Sequence, residues 1–281
     1  MDAIIRPLDP VRPLDPVRPL DPARAERLRE RESRVEAEAS DGDPLGLSDT
    51  IVYQHPVITV DAERRERERL LAPGAAGTLG GPYKMLRTQV MRRMSELNAN
   101  TLAVMSAFNG EGKTLTAINL AIAVAADLNH TALLIDLDLR NPSIHRRLGF
   151  EPKVGIEDCL MERRPVFQAM VKLAGYERLT VMPARGRVEH SSELISAARM
   201  GELMQELRQR YFNRVLIFDL PPVLMADDAL AFSKHVQAGL LVVAEGKTSR
   251  DGVTRAISLL NRLPIVGTVL NQSRENVGSY Y

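Results

Sequence analysis

Between residues 102 and 270 the chain alternates short apolar runs with stretches whose apolar positions step by three and four. The runs Leu102–Ser106, Ala132–Leu137, Leu179–Met182, Val215–Leu220, Leu240–Ala244 and Val266–Leu270 have strand length. Most are continuous rather than alternating, as expected of strands covered on both faces. Helical spacing marks Thr114–Leu128, Gly155–Met161, Ser192–Tyr211, Ala226–Ser233 and Arg250–Asn261. Ser191 or Ser192 is the expected cap of the long one, and Leu203, Leu207 and Tyr211 its buried stripe. This alternation predicts an α/β fold, a mostly parallel twisted sheet with helices on both faces.

Upstream, Tyr83, Leu86, Val90, Met94 and Leu97 recur at helical steps, so a further amphipathic helix is expected from Pro82. Lys84, Arg87, Arg92 and Arg93 are then expected on its solvated face. Before Gly80 the pattern changes. Residues 6–22 read RPLDPVRPLDPVRPLDP, nearly three copies of a six-residue repeat with proline at every third position. Such spacing removes helix and sheet hydrogen bonds and favours extended polyproline II. Ala23–Ala39 is charged, and its large apolar residues are Leu28 and Val35 alone. Asp61–Ala72 reads as a short helix capped by Asp61 and stopped by Pro73-Gly74, with a glycine-rich linker from Gly74 to Gly81. The expected division is therefore a disordered, low-complexity tail over 1–80 and a folded domain over 81–281.

Composition narrows the class. The 281 residues are 44% hydrophobic, enough for one sizeable core. A net charge of +1 gives no general field for nucleic acid, and no nucleic-acid partner is expected. The single cysteine, Cys159, excludes an internal disulfide and suits a reducing compartment. The longest apolar candidate, Ala117–Leu128, is shorter than the roughly 18 residues of a membrane span. With an acidic second residue and no apolar region behind it, the N-terminus is not expected to be a signal peptide. A cytoplasmic protein is expected, reaching a membrane through a partner.

The first chemistry-bearing stretch is LAVMSAFNGEGKTLTAI, residues 102–118. A strand runs into a small-residue loop, and Lys113-Thr114 opens an apolar helix. That order fits a phosphate cradle of the G-x-x-x-x-G-K-[ST] type with Ala107 in place of the first glycine. Gly110 and Gly112 let backbone N–H groups turn inward, and the helix start adds its positive end. Asn109, Gly110, Glu111, Gly112, Lys113, Thr114 and Leu115 would surround a nucleotide. Lys113 would neutralise the β/γ-phosphates and the Thr114 hydroxyl would bind Mg²⁺.

Two more strand ends carry carboxylates, in LLIDLDLR with Asp136 and Asp138 and in VLIFDLPP with Asp219. A carboxylate on a buried strand end costs desolvation unless it is paired or set to bind metal. Helix capping is the competing explanation for each Asp alone. Three of them beside a phosphate loop favour Mg²⁺.

With these motifs in order, the chain resembles the bacterial tyrosine kinases of polysaccharide export (BY-kinases) over about residues 61 to 281. The cadence INLAIAVAADLNHTALLIDLDLRNPSIHRRLG, then SSELISAARMGELMQELRQRYFNRVLIFDLPPVLMADDA, resembles the exosortase-associated branch in particular. The resemblance implies a P-loop NTPase fold and an ATP-dependent protein-tyrosine autokinase regulating exopolysaccharide synthesis and export. It implies that Asp136 assists deprotonation of the tyrosine hydroxyl and meets Mg²⁺ through water. Asp138 would support the Lys113 region, Asp219 would complete the metal shell, and Asn271 would read adenine. It further implies phosphorylation of the terminal Tyr280 and Tyr281 by neighbouring copies. The expected partners are a transmembrane chain-length-determinant-like activator, which recruits the protein to the inner membrane face, and further copies of the chain, as in a ring.

The family's assembly motif E-x-x-R-x-x-R is altered here to Gly81, Lys84 and Arg87, and Lys lacks the bidentate geometry of Arg. Two other readings compete. A partition- or septum-type ATPase switch would carry a signature lysine where this chain has Phe108. A weakly catalytic regulatory ATPase draws support from Ala107 and the short tyrosine tail.

Overall fold

The computed structural model describes residues 55–75 and 79–273. The proline repeat, the charged stretch 23–39 and Tyr280 and Tyr281 lie outside the described residues. Among the described residues, eight strands form one sheet. They are β1 (Val57–Ile58), β2 (Thr101–Ser106), β3 (Thr131–Asp136), β4 (Val171–Leu173), β5 (Leu179–Met182), β6 (Arg214–Asp219), β7 (Ala238–Ala244) and β8 (Ile265–Asn271). Their spatial order is β1-β4-β5-β3-β6-β2-β7-β8. All pairs are parallel except β4 with β5.

The α-helices are α1 (Ala62–Arg67), α2 (Gly80–Glu96), α3 (Lys113–Ala125), α4 (Ile144–Leu148), α5 (Ile156–Met161), α6 (Ser191–Ser196), α7 (Ala198–Arg210), α8 (Asp228–Ser233) and α9 (Arg250–Leu259). Successive strand side chains point to opposite faces. Leu102, Val104, Leu134 and Ile217 accordingly join the core layer shared with α2 and α3. Ala103, Met105, Leu133, Ile135, Leu216 and Phe218 join the opposite layer with α5, α7 and α8. Burial on both faces is why these strands read as continuous apolar runs.

All six expected strands are present. β1 and β4 were not expected, being two and three residues long, with Lys172 exposed in the middle of β4. The helix expected over Ser192–Tyr211 is two helices, broken at Ala197 with ψ 154°. On one straight helix Ile195 and Met200 would lie about 140° apart. The break lets both enter the same core layer fully buried. Neither serine caps α6: its N-cap is His190, without a side-chain cap bond. Leu203 and Leu207 are buried as expected, with Tyr211 packed at their edge.

The domain boundary also differs from expectation, because residues 57–75 pack on the same unit. Asp61 does cap α1, accepting from the Arg64 N–H at 2.7 Å. The helix stops at Arg67 rather than Ala72, since Arg69 takes a left-handed conformation (φ 55°) that turns Leu70 and Leu71 into the core. This strap crosses the back of α3, where the buried Asn119 amide accepts from Leu71 N–H (2.9 Å) and donates to Arg69 O (2.9 Å). Tyr176 Oη adds a 2.7 Å bond to Leu71 O. Arg87, expected in solvent, instead reaches the C-terminal end of α3, 3.4 Å from Ala123 O and 3.7 Å from the Asp127 carboxylate. A cation there complements the helix dipole.

Asn119→Ala leaves a buried N–H and a carbonyl of the strap unpaired. It should lower unfolding free energy by about 1–3 kcal/mol in urea titration and speed amide exchange in residues 69–75 ahead of the sheet. Unchanged exchange there would show that Asn119 does not hold the strap.

Candidate functional site

The sheet sets the site by register. β3, β6, β2, β7 and β8 lie side by side and parallel, so their carboxyl ends form one rim. Asp136 and Asp219, the last residues of β3 and β6, are direct cross-strand partners. The glycine loop leaves β2 beside Asp219, and Asn271 ends β8 at the far side of the rim. Ligands on open α/β sheets sit at such a rim.

Gly110 (φ 76°) and Gly112 (φ 91°) take the left-handed conformations that the loop requires. Gly112 is the N-cap of α3 with no side-chain cap bond, so the first-turn N–H groups of that thirteen-residue helix face the loop. A Cβ on Gly112 would come 2.0 Å from Asn271 Nδ2. Ala107 keeps a negative φ and is fully buried in the core. Alanine therefore meets the backbone demand at that motif position. Asn109 and Gly110 are exposed at the tip. Leu115 packs partly buried toward the α2–α3 core layer. The Glu111 carboxylate turns away from the cradle: it accepts from Phe108 N–H (2.8 Å) and from the Thr248 hydroxyl.

Lys113, Thr114, Asp138 and Asp219 converge. Lys113 Nζ stands 2.5 Å from Asp138 Oδ2 and 3.7 Å from Asp219 Oδ1. Thr114 Oγ1 donates to Asp219 Oδ2 at 2.6 Å. Asp136 Oδ2 accepts from the N–H groups of Ser143 (3.1 Å) and Ile144 (3.0 Å), at the start of α4. Asp136 and Asp219 are fully buried, and Asp138 is 4% exposed. Burial alone would lower Lys113, but Asp219 and Asp138 outweigh it and hold the ammonium above its ordinary range. Burial first, and the Asp219 charge second, push Asp136 up to about 8. Burial also raises Asp219, opposed by Lys113 and the Thr114 hydroxyl.

Among the described residues, no set of three or more His, Cys, Asp or Glu side chains is arranged to hold a metal by itself. Mg²⁺ at phosphate sites takes one or two protein oxygens and completes its shell with water and phosphate. Thr114 and Asp219 fit that use, for Asp219 Oδ1 is buried without a hydrogen-bond partner.

Several contacts lay beyond sequence reasoning. Ser143 Oγ approaches Thr114 Oγ1 at 3.4 Å. Arg140, the last residue of the D-x-D-x-R run, bridges Asp228 (2.7 Å) and Asp227 (3.0 Å), tying the loop after β3 to the start of α8. A fixed arginine spacing was the available signal, and nothing local named its partners.

A protein-family profile described as "ParA: NUBPL iron-transfer P-loop NTPase" matches residues 98–278. The chain is 30% identical over 201 residues to the tyrosine-protein kinase YwqD of Bacillus subtilis (strain 168), covering 71% of this chain and 83% of that one. It is 32% identical over 216 residues to the putative tyrosine-protein kinase AmsA of Erwinia amylovora, covering 75% of this chain but 29% of AmsA. The kinase domain of the Escherichia coli tyrosine kinase ETK superposes with a TM-score of 0.66 at 24% identity, over 82% of this chain and 92% of that domain. At that identity the likeness speaks for the fold.

Asp136 binds its proton more tightly in the folded chain than at its ordinary value of 3.8. The stability it contributes is present below about pH 4 and lost as pH rises through about 8. In metal-free protein, Asp136→Asn should flatten the fall in stability across that window, read by urea unfolding in EDTA. Identical pH slopes for both proteins would refute the assignment.

Proposed function

This chain belongs to the bacterial tyrosine kinase family, on a ParA-type P-loop NTPase fold, and from that premise we propose that it is a Mg²⁺-ATP-dependent protein-tyrosine autokinase. One observation carries the proposal. The phosphate-loop lysine is bound at 2.5 Å to a carboxylate of the D-x-D run, within 3.7 Å of the strand-end Asp219. A switch ATPase of the partition type would place a lysine where Phe108 packs against Gly252 of α9.

In this reading each residue has one task. The N–H groups from Gly110 to Leu115 hold the phosphates of ATP, and Lys113 neutralises their charge in the transition state. Asp138 fixes Lys113, and its other oxygen is itself steadied by the Asn141 N–H at 3.1 Å. Thr114 and Asp219 would hold Mg²⁺, which would supply positive charge against the phosphates. Asp136, oriented by the Ser143 and Ile144 N–H groups, takes up the proton of the acceptor tyrosine. Asn271 reads the adenine.

The acceptors are Tyr280 and Tyr281 of a neighbouring copy. Each phosphate adds about −1.5 to −2 charge, repels the tail from a rim of three carboxylates and loosens the assembly. Self-association uses a surface different in detail from the family's, as Lys84 replaces an arginine and Arg87 is engaged within its own chain. Among the described residues no helix is long and apolar enough to cross a membrane. Activation and recruitment to the inner membrane face then fall to a transmembrane chain-length-determinant-like protein, and exopolysaccharide synthesis is the process regulated.

Lys113→Met should abolish phosphotyrosine formation with Mg-ATP while circular dichroism stays that of the folded protein. Phosphotyrosine at near wild-type level would sink the site assignment. For the acceptor, Lys113→Met protein is mixed with an active chain lacking Tyr280 and Tyr281. Label should appear on the Lys113→Met chain at a rate rising with protein concentration. Labelling of intact protein at a concentration-independent rate, with none on the mixed chain, would exclude transfer between copies.

A further inference from the structure

The last described residues of the chain are bonded to the phosphate loop itself. Gln272 Nε2 donates to Gly110 O at 2.7 Å, and Asn271 Nδ2 donates to Glu111 O at 2.9 Å. Gln272 is in turn gripped from the other side, its Oε1 accepting from Lys247 Nζ at 2.8 Å. Its backbone is left-handed (φ 57°), and Asn271 O accepts from Glu245 N–H at 2.9 Å. Thr248 of the same β7–α9 connection donates to the Glu111 side chain. Residues 271–272 thus bond two consecutive peptide groups of the loop, and the β7–α9 connection braces them through Gln272 and the Glu111 side chain.

The orientation of those peptides matters. In a trans peptide the C=O and the following N–H point in opposite directions. A side chain that holds the Gly110 carbonyl outward therefore aims the Glu111 N–H inward, and the bond at Glu111 O does the same for the Gly112 N–H. Accepting a hydrogen bond also polarises a peptide and strengthens its N–H as a donor. Gln272 and Asn271 thereby pre-orient donors that an anion in the loop would meet.

We propose that the Gln272 amide is a positioning latch that couples the root of the tyrosine-bearing C-terminal segment to the nucleotide-binding loop. The inference rests on the nucleotide-site reading above and adds a regulatory link to it. A tail drawn away toward a neighbour strains the Gln272–Gly110 bond and weakens nucleotide binding in its own chain. A bound nucleotide, by fixing the loop, holds the tail root in place. Linkage requires that the two effects be equal.

The test uses the full chain and ADP with Mg²⁺ as probe. Calorimetry should give a Kd about threefold or more weaker for Gln272→Ala and for Gln272→Glu, which keeps the shape but removes the donor, as expected for one exposed hydrogen bond. In parallel, tryptic release of the peptide after Arg274, two residues past Gln272, is followed by mass spectrometry. Mg-ADP should slow that release about threefold or more in the wild type and leave it unchanged in both variants. A weaker Kd without nucleotide-dependent protection would mark Gln272 as merely structural and overturn the latch. Unaltered Kd in both variants would overturn it as well. Failure of the wild type to bind ADP at all would overturn the nucleotide-site reading, and the latch with it, and the wild-type arm tells these failures apart.

Discussion

One ammonium group stands among three carboxylates at a rim almost closed to water. Asp136 and Asp219 are set side by side by the register of β3 and β6, and a sheet cannot separate cross-strand partners without breaking its ladder. Two like charges held so close and so deep cannot both ionise cheaply. Lys113 offsets part of the excess through Asp138 and Asp219, and burial beside Asp219 makes Asp136 hold a proton more tightly than an ordinary carboxyl. The rim thus carries more negative than positive side-chain charge among the described residues. Backbone donors answer part of it: the first-turn N–H groups of α3 and the Ser143 and Ile144 N–H groups on Asp136.

The sheet's centre was legible because burial on both faces leaves an unmistakable apolar run, and the glycine loop because left-handed backbone needs glycine. What escaped prediction shares a cause, which is that the signal lay in tertiary contacts. β1 and β4 are too short to show a period. Ala197, in a residue type that favours helix, breaks one because Ile195 and Met200 must face the same layer. Arg87 looked like a surface charge until the end of α3 came within its reach. The convergence of Lys113 with Asp138 and Asp219 could be expected from motif order. The use of Glu111 to brace the loop from within, rather than to meet a ligand, could not, because its partner Thr248 is 137 residues away.

The strap changes how the N-terminal part of the chain relates to chemistry. Residues 69–71 are bound to Asn119, in the second turn of the helix that begins with Lys113. α1 meets α4 through Arg64 on the Arg146 carbonyl (3.0 Å) and through Glu68 with Arg147 (3.2 Å). The two helices whose N-termini organise the site are therefore both touched from behind by one segment. Since packed elements shift as units rather than deform gradually, that segment belongs mechanically to the site although it contributes no residue to it.

Ala107 carries a lesson about how such sites are found. The phosphate-loop pattern is usually written in letters, with glycine at its first place, yet what the fold asks there is a torsion angle and a small buried volume. An alanine with negative φ satisfies both, whereas Gly112 sits at φ 91°, where a side chain is strained, and an added carbon would also displace the Asn271 amide. A search that scores every glycine of the pattern alike would discount this chain for a change that its backbone angle accommodates. One that weighs each position by its backbone angle would keep it.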